Sequence, residues 1–323
     1  MNIIESQSTS PYFNIAAEEY FLKESKDNFF LLYRNSPSVI TGKHQNPLAE
    51  INLQFIRENQ IHVARRFSGG GTVYHDLGNI NYAFITTGIS GQFVDFRKYV
   101  LPVIDFLSTY GIKAKSDGYN NLTTGGRKFS GNARHVCKNR TLHHGTLMYS
   151  VNLENLNSAL YNDQEKYNSK AVRSVKAGVV NLSDLIQEKI DIQQFSVSFK
   201  NCISRIYNGR EYSVTAGDIQ KIQELSFKKF STWQWNFGYS PDYVFHNKIL
   251  YNNSVIMLSV SVENGIILNI SISTDTGAKF HKIEKQLTGA RHDFDTIFNI
   301  LKNCKFDGIF QGISSGYFVN AMF

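Results

Sequence analysis

Arg65-Arg66-Phe67-Ser68-Gly69-Gly70-Gly71-Thr72-Val73-Tyr74-His75-Asp76 is the stretch from which the rest of the chain can be ordered. Ile61 to Arg65 has the apolar character of a short strand, and Thr72 to Thr86 that of two more, broken at Asp76 to Asn79. Between them stand three consecutive glycines, which let the backbone approach a ligand closely, so that its N–H groups and the two arginines can surround a phosphate. A plain hairpin turn uses glycine but has no need of paired arginines at its entrance. The segment is therefore expected to be an anion cradle.

Other phosphate motifs do not fit. Gly42-Lys43 is followed by His44 and lacks the upstream glycine and the hydroxyl of a P-loop, and no Gly-x-Gly-x-x-Gly marks a dinucleotide fold. Gly312-Ile313-Ser314-Ser315-Gly316 has the form of a serine-hydrolase elbow, but only 7 residues follow it, too few to supply the acid and histidine that come later in that fold.

Working outward, Ser10 can cap a helix that starts at Pro11 and places Phe13, Ala16, Ala17, Tyr20 and Phe21 on one face. Phe29 to Tyr33 and Ser38 to Thr41 are strand-like, Pro47 to Asn59 predicts a second helix, and Phe93 to Tyr110 a third that stops at Gly111. Arg127 to Val136 and Thr141 to Val151 predict a hairpin turning at Lys138-Asn139-Arg140. After an aromatic stretch from Trp233 to Pro241, Val255 to Val262 and Ile266 to Ile272 flank Asn264-Gly265, a strong short-range hairpin signal. Two short helices are expected near His281 to Leu287 and Phe294 to Asn303.

The chain has 323 residues, 42% hydrophobic and 19% charged, enough for one large domain and an appendage and too apolar for disorder. Its formal net charge of +7 favours phosphorylated ligands or acidic partner proteins. Cys137, Cys202 and Cys304 are too few and too scattered for a disulfide framework or a zinc set, which points to a reducing cytoplasm. No signal peptide and no membrane span is expected.

Two further clusters carry chemistry. In Gly125-Gly126-Arg127-Lys128-Phe129-Ser130-Gly131-Asn132-Ala133, strand alternation would put Lys128 and Ser130 on one face beside small residues, leaving room for a ligand. In His143-His144-Gly145-Thr146 the adjacent histidines should point to opposite faces, so they do not share a metal.

Taken in order, Arg65 to Asp76, Gly126 to Ala133 and His143 to Thr146 resemble the lipoate-protein ligase A family, within the biotin/lipoate protein ligase superfamily. The resemblance continues through Asn14 to Glu19, Gly42 to Pro47, Gly118 to Leu122, Ser174 to Leu185 and Trp233 to Pro241, and so covers nearly the whole chain. It implies an α+β (mixed α/β) fold, with a catalytic domain over 1–245 and a small C-terminal accessory domain over 246–323. It further implies an enzyme that uses ATP, with Mg²⁺, to activate lipoate as lipoyl-AMP, releasing pyrophosphate. The lipoyl group then passes to a lysine of a carrier domain, on 2-oxoacid dehydrogenase E2 subunits or the glycine-cleavage H protein.

Residue by residue, the resemblance assigns Lys128 to both the lipoate carboxylate and the α-phosphate, as the catalytic group. Arg66, Gly71, Thr72, Val73 and Tyr74 are assigned to the nucleotide, and His75 and Asn120 lie in matching stretches. Asn121 stands where many members carry Asp, and no metal ligands are indicated. The residue types suit the chemistry, because an attacking carboxylate and an α-phosphate are both anions and need positive charge aimed at both.

Other readings keep parts of these motifs. A lipoyl- or octanoyl-transferase of the same fold would dispense with ATP, and a thiolate version would need Cys137. The charge could also suit a nucleic-acid module, but no motif of that class is present and basic runs are not interleaved with aromatics. Neither nucleic acid nor membrane is expected as a partner.

Overall fold

The glycine loop connects two strands of the smaller of two sheets in its part of the chain. The structure is a computed structural model that describes residues 1–88, 96–117, 120–161, 163–175, 177–251, 254–275, 280–304, 306 and 313–323. Gly118, Tyr119, Gly312 and the start of the expected third helix, residues 93–95, lie outside them. The described chain divides into two compact units, Met1–Lys43 with Ile61–Ser158 and Ser174–Thr232, and His44–Gln60 with Ala159–Arg173 and Trp233–Phe323.

The first unit contains β1 (Asn2–Glu5), β2 (Phe29–Tyr33), β3 (Ser38–Thr41), β4 (His62–Arg65), β5 (Val73–His75) and β6 (Asn79–Thr87). It also holds β7 (Lys115–Ser116), β8 (Asn121–Thr124), β9 (Arg127–Cys137), β10 (Arg140–Met148) and, beyond a short strand β11 (Tyr167–Ser169) of the second unit, β12 (Arg210–Glu211). Among the described residues these make an 8-stranded sheet in the order β12-β1-β2-β6-β10-β9-β8-β7, and a 3-stranded sheet in the order β4-β3-β5. The larger sheet is mixed: β1 runs parallel to β2 and β12, and the remaining pairs are antiparallel. This is the mixed α/β architecture expected from the sequence.

Helices cover both faces of the sheet. Phe30, Tyr82, Phe84, Leu122 and Phe129 pack with Val103 and Phe106 of a helix over Arg97–Ser108 and with Phe195, Phe199 and Ile203 of another over Ile192–Ile206. On the opposite side lies the first helix, Pro11–Glu24, opened by Ser10 Oγ accepting from the amide of Phe13. His143 and His144 display the two faces directly, with His143 stacked on Tyr99 at 5.0 Å and His144 bonded to Glu18.

Three expectations change. The first helix is buried beyond its apolar face, for Asn14, Glu18 and Glu19 are buried too. Pro47 to Asn59 is not one helix but a 3₁₀ turn, Pro47–Ala49, and a helix over Leu53–Glu58, because Asn46 and Asn52 each cap a separate start. Finally, Lys128 and Ser130 do not share a face. Leu122 pairs with Ser130 and Thr123 with Lys128, so Phe129 is an extra residue in β9, and this bulge turns the strand between them.

In the second unit β13 (Tyr243–Tyr251), β14 (Ser254–Glu263) and β15 (Ile266–Thr274) form with β11 an antiparallel sheet. The hairpin turn has Asn264 at φ 50 and Gly265 at φ 76, the paired left-handed residues of a type I′ turn. Phe245, Ile256, Leu258 and Ile270 pack against Ile283 and Leu287 of the helix over His281–Leu287 and Ile297 and Leu301 of the helix over Phe294–Asn303. Ser314, the serine of the hydrolase-like motif, caps the helix over Ser315–Asn320 and accepts from the amide of Tyr317.

Gly78 tests the frame. A Cβ there would stand 2.1 Å from the carbonyl oxygen of Ser150, and that backbone cannot move without breaking the bonds that Tyr149 and Ser150 donate to Gly78 O. Gly78→Ala should cost at least about 2 kcal/mol in unfolding free energy. Gly217→Ala, in a helix and meeting nothing closer than Thr215 Oγ1 at 3.8 Å, should gain about 0.5 kcal/mol. Equal denaturation midpoints for the two variants would contradict this account.

Candidate functional site

The glycine loop is held from within. Arg66 lies at the end of β4 and is 7% exposed, yet four of its five N–H groups are donated to neighbours inside the protein. Nε donates to Ser68 Oγ at 3.1 Å and Nη1 to Ile40 O at 3.0 Å, while Nη2 donates to Gly69 O and Gly71 O, each at 2.7 Å. Gly70, between those carbonyls, sits at φ +94, and a Cβ there would come within 2.9 Å of Nη2. That position needs glycine both for its dihedral and for the closeness of the guanidinium. Thr72 N donates to Ser174 Oγ at 2.8 Å, which ties the far end of the loop.

Behind Arg66 runs a polar chain on the first helix's side of the sheet. Ser68 Oγ accepts from Arg66 and lies 2.7 Å from His144 Nε2. A carboxylate only accepts, so His144 Nδ1 donates to Glu18 Oε2 at 2.8 Å, and Glu18 Oε1 accepts from Tyr33 OH at 2.9 Å. Burial lowers the Arg66 pKa to about 10, with the negative charge of Glu18 resisting the fall. Burial, then Glu18, pushes the Tyr33 phenol well above its usual value.

Lys128 stands across from this loop. Its backbone is fixed by Gly178 O and Val180 N at 2.8 and 3.0 Å. Because of the bulge at Phe129, its ammonium lies over Gly131, where a Cβ would be 3.2 Å from Nζ and 3.9 Å from Val73 Cγ1. A Cβ on Gly70 would in turn lie 4.0 Å from the Cβ of Ala133 on the same strand. Small residues on β9 thus leave the space in which a cation and the loop meet. Burial lowers the Lys128 pKa, the charge of Arg66 lowers it further, and Asp117 opposes both.

Of the residues singled out in the sequence, Arg66, Gly71, Thr72, Val73 and Lys128 come together here. Tyr74 and His75 continue from the loop into β5 and are buried, at 3% and 5% exposure. Asn120 is exposed and is connected through its carbonyl, which accepts from Asn132 N at 2.7 Å. Asn121 bonds Asp117 through both its amide and its side chain. Sequence reasoning missed Glu18, Ser68, His144 and Ser174 as parts of the site; all four lay inside recognised stretches, but nothing in the spacing pairs them. Among the described residues no group of three or more His, Cys, Asp or Glu could hold a metal.

Arg66→Lys would keep a charge and lose the planar fork that spans four acceptors. Amides of residues 69–72 should then exchange with solvent at least about tenfold faster while the strands of the sheet stay protected. Unchanged exchange in the loop would show that Arg66 does not hold it.

Comparison with known proteins gives a consistent picture. The model of the lipoyl protein ligase A/B catalytic domain matches residues 10–204, and that of the bacterial lipoate protein ligase C-terminus residues 240–322. Lipoate–protein ligase 1 of Staphylococcus aureus is 36% identical over 91% of this chain and 91% of its own. Lipoate-protein ligase LplJ of Bacillus subtilis is 34% identical over 100% of both. Among solved structures, P. falciparum LipL1 in complex with lipoate superposes with a TM-score of 0.64 at 23% identity, over 95% of this chain and 97% of that one. A lipoate-protein ligase A bound with ATP gives 0.62 at 23% identity, over 74% and 98%. These last two likenesses speak for the fold. With the catalytic model spanning most of the chain and relatives of this identity end to end, the chain belongs to the lipoyl protein ligase A/B family.

Proposed function

We propose that the protein is an ATP-dependent lipoate-protein ligase, in which Lys128 is the catalytic cation and the Arg66-held loop binds the nucleotide. The observation that carries the assignment is a half-buried lysine facing a glycine loop that an arginine keeps open. In the first half-reaction a lipoate carboxylate oxygen attacks the α-phosphorus of ATP, the new O–P bond forms, and pyrophosphate leaves. Both reactants are anionic, and the Lys128 ammonium offsets their approach at the point where charge accumulates. In the second, the amine of an acceptor lysine attacks the acyl carbon and AMP departs.

Arg66 serves the nucleotide in two ways. Four of its N–H groups hold the loop and β3, at Ser68 Oγ, Ile40 O, Gly69 O and Gly71 O, so beside the phosphate contact expected of it the side chain acts through loop shape and through its charge. Gly71, Thr72, Val73 and Tyr74 supply the backbone that meets the nucleotide, with His75 and Asn120 at its borders. Mg²⁺ is proposed to arrive chelated by the phosphates of ATP. Acceptors are lipoyl carrier domains; a solved archaeal relative from Thermoplasma acidophilum is described as a bipartite ligase with its E2 lipoyl domain. The glycine-cleavage H protein and a cytoplasmic location belong to the same proposal. So does the division into a catalytic segment, 1–245, and an accessory one, 246–323. No described helix is long and apolar enough to cross a membrane.

Thiolate chemistry is disfavoured by position. Cys137 pairs with Arg140 at the far end of β9, nine residues from Lys128, or roughly 30 Å along an extended strand. Cys137→Ser should therefore keep most of its ligase activity, measured as lipoyl transfer to an acceptor domain; a folded but inactive variant would favour a thioester route.

Lys128→Met keeps most of the side-chain volume and removes the charge. Lipoate-dependent pyrophosphate release at saturating ATP should fall by about a hundredfold, equivalent to about 3 kcal/mol in the barrier. The protonated amine is the active form, so wild-type kcat/KM, which reports the free enzyme, should decline as pH rises through the lowered Lys128 pKa, earlier than an ordinary lysine would allow. Near-wild-type release by Lys128→Met, or an alkaline limb unchanged in it, would overturn the assignment.

A further inference from the structure

Ser8 O can only accept a hydrogen bond, and it lies 2.9 Å from Asn14 Nδ2. That contact decides which end of the Asn14 carboxamide is nitrogen. The same amino group is 2.9 Å from Asn35 Oδ1, while Asn14 Oδ1 accepts from the Ser6 hydroxyl at 2.7 Å. With its oxygen turned to Asn14, Asn35 presents Nδ2 to His75 Nδ1 at 3.1 Å. An amide nitrogen only donates, so Nδ1 of His75 must offer a lone pair, and the proton of the neutral ring is on Nε2. The ring is neutral because burial, helped by the charge of Arg66, holds its pKa down at about 3. Asn14, Asn35 and His75 are all buried, and Nε2 meets no hydrogen-bond partner among the described residues.

We propose that Asn14 and Asn35 are positioning residues that lock His75 as a neutral Nε2–H donor for an anionic oxygen of the bound substrate, either the carboxylate of the acid or a phosphate oxygen of the nucleotide. The inference rests on the ligase reading above. The opposite tautomer would aim a lone pair at an anion and repel it. An imidazolium would be a further cation beside Arg66, in surroundings that disfavour it. Two asparagines in series give the required polarity with no charge at all, since a carboxamide donates at one end only and each link orients the next.

The test is nitrogen-15 NMR of the histidine rings in the full-length protein. Near neutral pH the wild-type His75 ring should show a protonated Nε2 and an unprotonated Nδ1, and should not titrate in the range of an ordinary histidine. Asn35→Asp replaces the donor by an acceptor, so the proton should appear on Nδ1. The variant's KM for the substrate that meets Nε2 should rise at least about tenfold, with kcat changed less. Should that variant fail to fold, the wild type remains informative. Lipoate alone, or a non-hydrolysable ATP analogue alone, should shift the Nε2–H resonance, and the one that does so supplies the oxygen. A wild-type His75 protonated on Nδ1 would overturn the proposal, as would an Nε2–H resonance that neither ligand moves in a protein that releases pyrophosphate. Absence of lipoate-dependent pyrophosphate release in the wild type would instead overturn the ligase reading, because the tautomer is measured without turnover.

Discussion

One guanidinium holding two glycine carbonyls is the contact on which the site depends. Three consecutive glycines have more conformational freedom to lose on folding than any other triplet, roughly 0.5–1 kcal/mol per residue relative to alanine. Left alone they would sample many loop shapes, few of them open to a phosphate. Arg66 selects one by drawing Gly69 O and Gly71 O onto a single nitrogen, and the planarity of the fork fixes Ser68 and Ile40 at the same time. The glycines allow the loop to pass so close to Arg66, and Arg66 in turn removes the freedom that the glycines bring.

Burying that guanidinium has consequences further back. An uncompensated charge in the interior costs several kcal/mol, and the nearest countercharge, Glu18, lies on a helix more than forty residues earlier in the chain. Ser68 and His144 bridge the gap with hydrogen bonds. The helix that looked like an apolar packing element is therefore buried on its polar side as well. Glu18 and Asn14 belong to the same helix, and each starts a chain of hydrogen bonds that ends at a loop or strand of the site. The first helix is thus as much a part of the site as β9.

What could be seen in the sequence was whatever depends on residue type and local spacing. The glycine triplet, the arginines before it, the Asn264-Gly265 turn and the opposed faces of His143 and His144 are of that kind. So was Lys128, through the ordered motifs around it. The direction in which Arg66 points was not visible, because an arginine's charge is a property of its type and its orientation is a property of the fold. The bulge at Phe129 was hidden for a related reason: it depends on the register between β8 and β9, and periodicity along one strand assumes that no residue is skipped. The relay from Glu18 to Ser68 joins segments separated by 50 to 126 positions, so no motif could contain it.

The same charge that orders the loop also tunes the lysine opposite it. Lys128 and Arg66 are like charges in partly dehydrated surroundings, and the charge of Arg66 makes the ionised lysine less favourable. Without ligand, this repulsion and the burial of both groups work against the lysine's proton. On the proposed reading of the site, two substrate anions entering the space would reverse the balance, since each would be attracted to both cations and neutralise the repulsion between them. Electrostatic energy that opposes the empty site is thus released when the reactants are in place. Moving Arg66 nearer to solvent would relax Lys128, but it would also free the glycine loop, so the position of the arginine is constrained from both directions at once.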